Sequence, residues 1–418
     1  MTALRKLYLD FYILVYALYA YFNKGIAYSY LVEVLLLIGL IWFLKDIRKV
    51  EIIWTRSMKL LVLFLVVTLL FIARAFGKYP LLDIIRDSFM LYYALFVFIL
   101  LLFKKDIDYL KNGIYLVYKW YPLVITCSFL SLSFIPLFDE IKVFGNKHLL
   151  LYKFGDMGVH LLIASLLMIN GNIKLTKKHA IFNAILTIYM LLVIAAYSRS
   201  GMLAYIVGIG LYFIYTKSET IKTFILGYLK FIPLLLIVAL TLYMSTKTKE
   251  NFQGRKVGLD QLKENTVSIV STNSEGTLND NKVWRLAWWG KIIQDSFSGS
   301  NFFIGRGLGM SMATVDDIET EEEGLRSPHN FHLNILGRYG VPFFVLWVYW
   351  LFILINPIRQ KQISQYSFTL LTILFVFLVN ASLDVFLEGP MGAFPFWTFI
   401  GLYYIDQMNN PNNSLVIA

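Results

Sequence analysis

The 418 residues include one cysteine, Cys127, so no disulfide can close within the chain and redox compartment cannot be read from the sequence. Charge is scarce as well: 16% of residues are charged, where soluble domains carry about 25%. No repeat of 20–50 residues is found, which excludes solenoids and propellers. Gly305, Gly307 and Gly309 fall at alternate positions, without Gly-x-Gly-x-x-Gly spacing or a strand–helix unit around them. They predict a flexible turn and exclude a dinucleotide fingerprint. With no cysteine pair, a zinc site would have to be completed from histidine and carboxylate alone.

What fills the chain is apolar surface: 58% of residues are hydrophobic and 17% aromatic. Apolar runs lie near 7–22, 29–44, 59–76, 89–103, 114–137, 157–170, 180–197, 201–216, 224–244, 331–355, 366–381 and 393–406. Runs of this kind are sized to cross about 30 Å of hydrocarbon. The fold class expected is an all-α integral membrane protein of about 12 transmembrane helices, with one large external loop between the ninth and tenth. Residues 1–244 form the bundle of spans 1–9, 245–330 the external loop, 331–408 spans 10–12, and 409–418 a disordered cytoplasmic tail. The first run is read as a span and not as a removed signal, because Asp10 and many aromatics interrupt it and no small-residue cleavage site follows.

A net charge of +11 raises the question of nucleic acid. The basic residues are spread over short connections, however, about twice as densely on alternate sides of the runs. This positive-inside pattern predicts cytoplasmic N- and C-termini and no nucleic-acid partner. It also places 245–330 on the outer face.

The residues with chemical potential gather on that face. Arg199 lies in a hairpin tip, Ala195-Ala-Tyr-Ser-Arg-Ser-Gly201, between the seventh and eighth runs. Its planar fork suits bidentate binding of a phosphate, and it is equally able to snorkel to lipid headgroups. A helix is expected near 282–297, capped by Asn279, Asp280 or Asn281, with Trp284, Trp288 and Ile292 on one face and Arg285 about 100° round. Such a helix either lies on the lipid surface or packs on the bundle. Asp316, Asp317, Glu319 and Glu321–Glu323 read as a solvated acidic loop, with a divalent cation as the alternative.

His329 and His332 share a helix face in the stretch Arg326-Ser-Pro-His-Asn-Phe-His-Leu-Asn-Ile-Leu-Gly-Arg-Tyr-Gly-Val-Pro342. A metal pair would need two more ligands, so His329, at the start of a helix, is read as a proton acceptor. Histidine's unperturbed pKa of about 6.5 suits that role outside the cell. Arg74 and Arg86 are lesser candidates for contacting an anion, with anchoring at the interface as the alternative. Arg338 sits in the Gly337–Pro342 break of the tenth run, where it contacts an anion or binds local carbonyls, and Asp384 and Glu388 are expected to pair with such cations.

Tyr197-Ser-Arg-Ser-Gly-Met-Leu-Ala204, then Trp284-Arg-x-x-x-Trp-type sequence, then Ile304-Gly-x-Gly-x-Gly309, then His329-Asn-x-x-Leu with Tyr339-Gly340: in this order the elements resemble the O-antigen ligase and O-antigen polymerase family. The resemblance covers residues 180–345, with Pro342 where many members have a small residue. It implies a membrane glycosyltransferase of the GT-C type in the bacterial plasma (inner) membrane, active on the periplasmic or outer face. The donor would be a glycan linked to undecaprenyl diphosphate. By motif match Arg199 and Arg285 would bind the diphosphate and His329 would activate the acceptor hydroxyl, with inversion and with neither metal nor cofactor. The acceptor would be a second repeat unit for a polymerase of O-antigen or capsule type, the reading preferred here, or lipid A core or protein for a ligase. A chain-length regulator or other polysaccharide-assembly proteins would be partners in the bilayer. A flippase or transporter of lipid-linked oligosaccharide is the alternative. It would show ionisable residues deep in the spans and two similar halves, and the sequence offers neither.

Overall fold

A computed structural model describes residues 1–26, 29–134, 141–143, 147–148, 152–216, 232–246, 257–270, 277–318, 325–359 and 363–409. In chain order its principal helices are α1 (Ala3–Ile26), α2 (Leu31–Asp46), α3 (Arg56–Ala75), α4 (Leu81–Asp87), α5 (Phe89–Leu102), α6 (Ile107–Phe134), α7 (Phe154–Ile169), α8 (Lys177–Tyr197) and α9 (Arg199–Tyr215). Beyond them come α10 (Ile232–Ser245), α11 (Leu259–Val270), α12 (Thr277–Ser296), α13 (Asn301–Ile304), α14 (Met312–Val315), α15 (Phe331–Tyr339), α16 (Val341–Ile355), α17 (Gln365–Ala381) and α18 (Pro390–Asn409). The described strands are a two-residue antiparallel ladder, Lys142–Val143 with Lys147–His148. Helices dominate because a backbone in lipid must satisfy its own hydrogen bonds.

The apolar runs and the helices coincide closely. Four helices among the described residues are long and apolar enough to cross a membrane: Arg56–Ala75, Lys104–Ser131, Lys177–Tyr197 and Val341–Arg359. The pair Leu81–Asp87 and Tyr92–Leu102, bent by 63°, adds a fifth if taken as one broken span. Phe154–Ile169, Arg199–Tyr215, Pro233–Ser245 and Gln365–Ala381 are apolar but shorter. The chain is a helical membrane protein. The tenth expected span, 331–355, is two helices, because Gly340 at φ 82° ends α15 and Pro342 opens α16.

Helix starts follow capping chemistry. Thr55, Thr176, Ser198 and Asn330 each accept a hydrogen bond from the backbone N–H three residues on. The sequence divides into two units, which are described separately: 1–45, 103–271 and 364–376 form the first, and 46–102, 272–363 and 377–418 the second.

In the first unit glycines let helices touch. A Cβ on Gly158 of α7 would stand 2.5 Å from the carbonyl oxygen of Gly201 in α9, and one on Gly208 would strike Leu162. Close backbone approach through small residues is how helices pack where lipid removes the hydrophobic drive between them. The second unit is built on aromatics: Trp347 stacks on Trp350 at 5.1 Å, and Trp350 meets Trp397 at 5.8 Å. Trp350 Nε1 donates to the Ser57 carbonyl at 3.1 Å, which satisfies the one polar atom of a buried indole.

Candidate active site

His329 occupies the turn that leads into α15. Its φ is 51°, in the left-handed region that side chains other than glycine seldom adopt. Two neighbours fix this turn: Asn330 caps α15 by accepting from Leu333 N–H at 3.1 Å, and Trp289 Nε1 of α12 donates to the Pro328 carbonyl at 2.6 Å. The imidazole is buried, 8% exposed, with Nδ1 3.6 Å from Oδ1 of Asp384 and its ring edge-on to Trp284 at 6.2 Å. Arg285 Nη1 donates to the Leu383 carbonyl at 3.3 Å, and its guanidinium lies 5.6 Å from the Trp284 ring centroid. Three segments distant in sequence thus converge: α12 brings the arginine, the 327–330 turn the imidazole, and the 382–388 turn a carboxylate. Asp384 had been expected to pair with loop cations. It lies beside His329, a placement with no local sequence signal because the two residues belong to separate helical segments.

His332 is not a second ligand beside it. Its Nδ1 accepts from Trp347 Nε1 at 3.1 Å, and it packs against Phe331 and Trp347. Among the described residues no group of three or more His, Cys, Asp or Glu is arranged to hold a metal ion. Glu319 and Glu321–Glu323 lie outside the described residues.

The expected helix near 282–297 begins earlier, at Thr277, so Asn279, Asp280 and Asn281 lie inside it and do not cap it. Its tryptophan face is turned to protein: Trp288 and Ile292 are buried with Met312 and Ala313, and Trp284, Ile318 and Leu325 pack around them. Of the two readings of this helix, packing on the protein is the one that face takes. The glycine turn is not flexible either. Arg306 N–H donates to the Gly337 carbonyl and Gly307 N–H to that of Arg338, at 2.8 and 3.0 Å. Gly305 (φ 53°) runs so close to α15 that a Cβ there would stand 2.4 Å from the Arg338 carbonyl. Arg306 forks onto both oxygens of Asp316, at 2.7 and 2.9 Å, and reaches Asp295 at 2.7 Å. Burial lowers the Arg306 pKa, but these two carboxylates more than offset it and leave the group above its ordinary value. Asp316, expected to be solvated, is buried and also accepts from Trp288 Nε1 at 2.7 Å.

Arg338, a candidate phosphate contact, has other partners. It is buried, with Nη1 on Asp87 at 2.7 Å and on the carbonyls of Met310 and Gly307 at 3.1 and 3.4 Å, while Nε donates to Asn334 at 2.8 Å. The alternative reading, a ligand of local carbonyls, describes it better. Arg74 donates to the Ile304 carbonyl at 3.0 Å, which ties the end of α3 to the end of α13, and Arg86 is exposed on α4.

Arg199 belongs to the first unit, where it opens α9. Ser198 caps this helix by accepting from Gly201 N–H at 3.2 Å, and Gly201 rests on the Phe154 carbonyl. The preceding carbonyls, Ala195 and Ala196, both accept from Asn265 Nδ2 of α11, which closes the hairpin tip. Asp156 and His160 of α7 are fully buried, and His160 Nδ1 lies 2.9 Å from Tyr118 Oη, itself 2.7 Å from Tyr16 Oη.

Residues 182–348 match the family model described as O-antigen ligase. The match covers this segment, and over it the chain is similar to that family. No curated protein matches the sequence. The O-antigen ligase segment contains Arg199, Arg285, His329 and Arg338, and leaves Asp87 and Asp384 outside. The description of the matched family names a ligase, an enzymatic activity.

Proposed function

We propose that this protein is a membrane glycosyltransferase that moves glycan from an undecaprenyl-diphosphate carrier on the outer face of the plasma membrane, joining repeat units into a surface polysaccharide. The observation that carries the reading is the strained His329 turn, with Asp384 behind the imidazole and Arg285 bonded to the adjoining Leu383 carbonyl. Strain of this kind persists where the surroundings over-determine it, and it is a pointer to function.

A sugar hydroxyl is a weak nucleophile and requires a positioned base. His329 takes its proton as the hydroxyl oxygen bonds to C1 of the donor sugar. The bond from C1 to the diphosphate oxygen breaks on the opposite face, inverting the anomeric centre, and the lipid diphosphate leaves with the electron pair. Asp384 orients the imidazole and stabilises the imidazolium that forms. Arg285 meets the charge developing on the leaving group, a form of stabilisation that is largest in a water-poor site. Arg199 is assigned to the same diphosphate on the family motif. Arg74 and Arg86 supply positive potential near the headgroup plane, and Arg338 is withdrawn from that list.

Ligation of finished polymer to lipid A core is the second reading, favoured by the family's own description. Purified protein incubated with an undecaprenyl-diphosphate repeat unit alone separates them. A ladder of products is expected. Release of glycan only when core lipid is added would establish the ligase, and no turnover in either case would overturn both in favour of transport.

A further inference from the structure

The turn carrying the proposed base is flanked by two arginines, Arg326 three residues before His329 and Arg338 nine residues after it. Both reach the same carboxylate. Asp87, the last residue of α4, is buried at 6% exposure. Its Oδ2 accepts from Arg326 Nη2 at 3.2 Å, from Arg338 Nη1 at 2.7 Å and from the backbone N–H of Gly309 at 2.8 Å. Asp83, one helical turn earlier, holds the other arm of Arg326 at 3.0 Å.

Resting on the functional reading above, we propose that Asp87 is the positioning residue for His329: it holds the turn from both sides and fixes where the imidazole stands. Three features separate this from a general stabilising contact. The carboxylate grips the entry and the far end of one short segment, Arg326 to Arg338. It takes the Gly309 N–H as well, which adds the glycine turn already bound to the end of α15. A left-handed residue between the two grips cannot relax while both ends are held. Asp87 itself touches neither imidazole nor substrate in this arrangement, so it acts through backbone placement.

Misplacing a reacting group by about 1 Å costs on the order of a hundred-fold in rate. Asp87→Asn is therefore expected to lower kcat by about that factor with donor KM unchanged, the pattern of an interaction that matters after binding. Asp83→Asn, which leaves Asp87 in place, is expected to remain within a few-fold of wild type, and Asp87→Glu to recover part of the loss. Removing Asp87 strands Arg338 in the interior, so Arg326→Ala is the companion variant: it releases one grip and leaves the Asp87–Arg338 ion pair intact. Hydrogen exchange on the same proteins supplies a readout independent of turnover. Faster exchange confined to 326–339 is expected in both variants, with α16 and the first-unit helix α7 unchanged.

Unaltered exchange in 326–339, or loss of protection spread evenly along the chain, would overturn the proposal, as would wild-type kcat in Arg326→Ala. If the wild-type protein shows no glycan transfer, the functional reading fails separately, and the exchange data still decide whether Asp87 holds the turn.

Discussion

The backbone at His329 is the most informative single residue. A left-handed conformation costs a side chain about 1–3 kcal/mol, and glycine at such a site is free of that cost. His329→Gly is accordingly expected to keep or raise thermal stability in detergent while transfer falls by about 10²–10⁴-fold, the range a positioned base supplies. A variant that lost stability and activity in parallel would make His329 a structural residue. Asp384→Asn is expected to keep abundance and lose less activity than His329→Gly, since the imidazole remains but its orienting charge is gone. Steady-state turnover of the purified variants measures both. Arg338 illustrates how far sequence reading reaches at this scale. Its position in a helix break was visible, but its partner Asp87 lies on a remote helix, and a long-range ion pair leaves no local pattern.

At the scale of elements, the crossing of the glycine turn over the end of α15 decides the local architecture. Gly340 has φ 82°, and a Cβ there would stand 2.8 Å from the Phe302 carbonyl. Backbone strain and overlap act together, so Gly340→Ala is expected to lower the melting temperature sharply or to prevent accumulation in membranes, and quantitative blotting of membrane fractions checks this. The break between 337 and 342 was legible because glycine and proline punctuate a helix whatever surrounds them. The burial of the Trp288 face was not legible. A tryptophan stripe suits a lipid surface and a protein core alike, and only the arrival of Met312 and Ala313 distinguishes them. Likewise Gly305–Gly309 were legible as a turn, while its rigidity rests on carbonyls of Gly337 and Arg338 that no spacing rule foretells.

For the whole molecule, helix positions followed directly from the apolar runs, because lipid forces each segment to satisfy its own backbone. Span lengths were less legible: α7 and α9 are apolar but short, and of the two only α7 is largely buried. With Arg285 and Arg199 assigned to the diphosphate, the reaction is expected to proceed undiminished in excess chelator, followed as product ladders on gels. Loss of activity there would point to the carboxylates of Glu319 and Glu321–Glu323 as a cation site.

The contact between Gly158 and Gly201 has a practical consequence. Where two backbones meet with no side chain between them, the joint is held by close packing of shape more than by side-chain chemistry. Arg199, two residues from that joint, is therefore carried on a mount that extraction should leave undisturbed. Detergent micelles and lipid nanodiscs ought to present the same arginine in the same place, so the choice of solubilising medium is free to be made for the lipid-linked substrate.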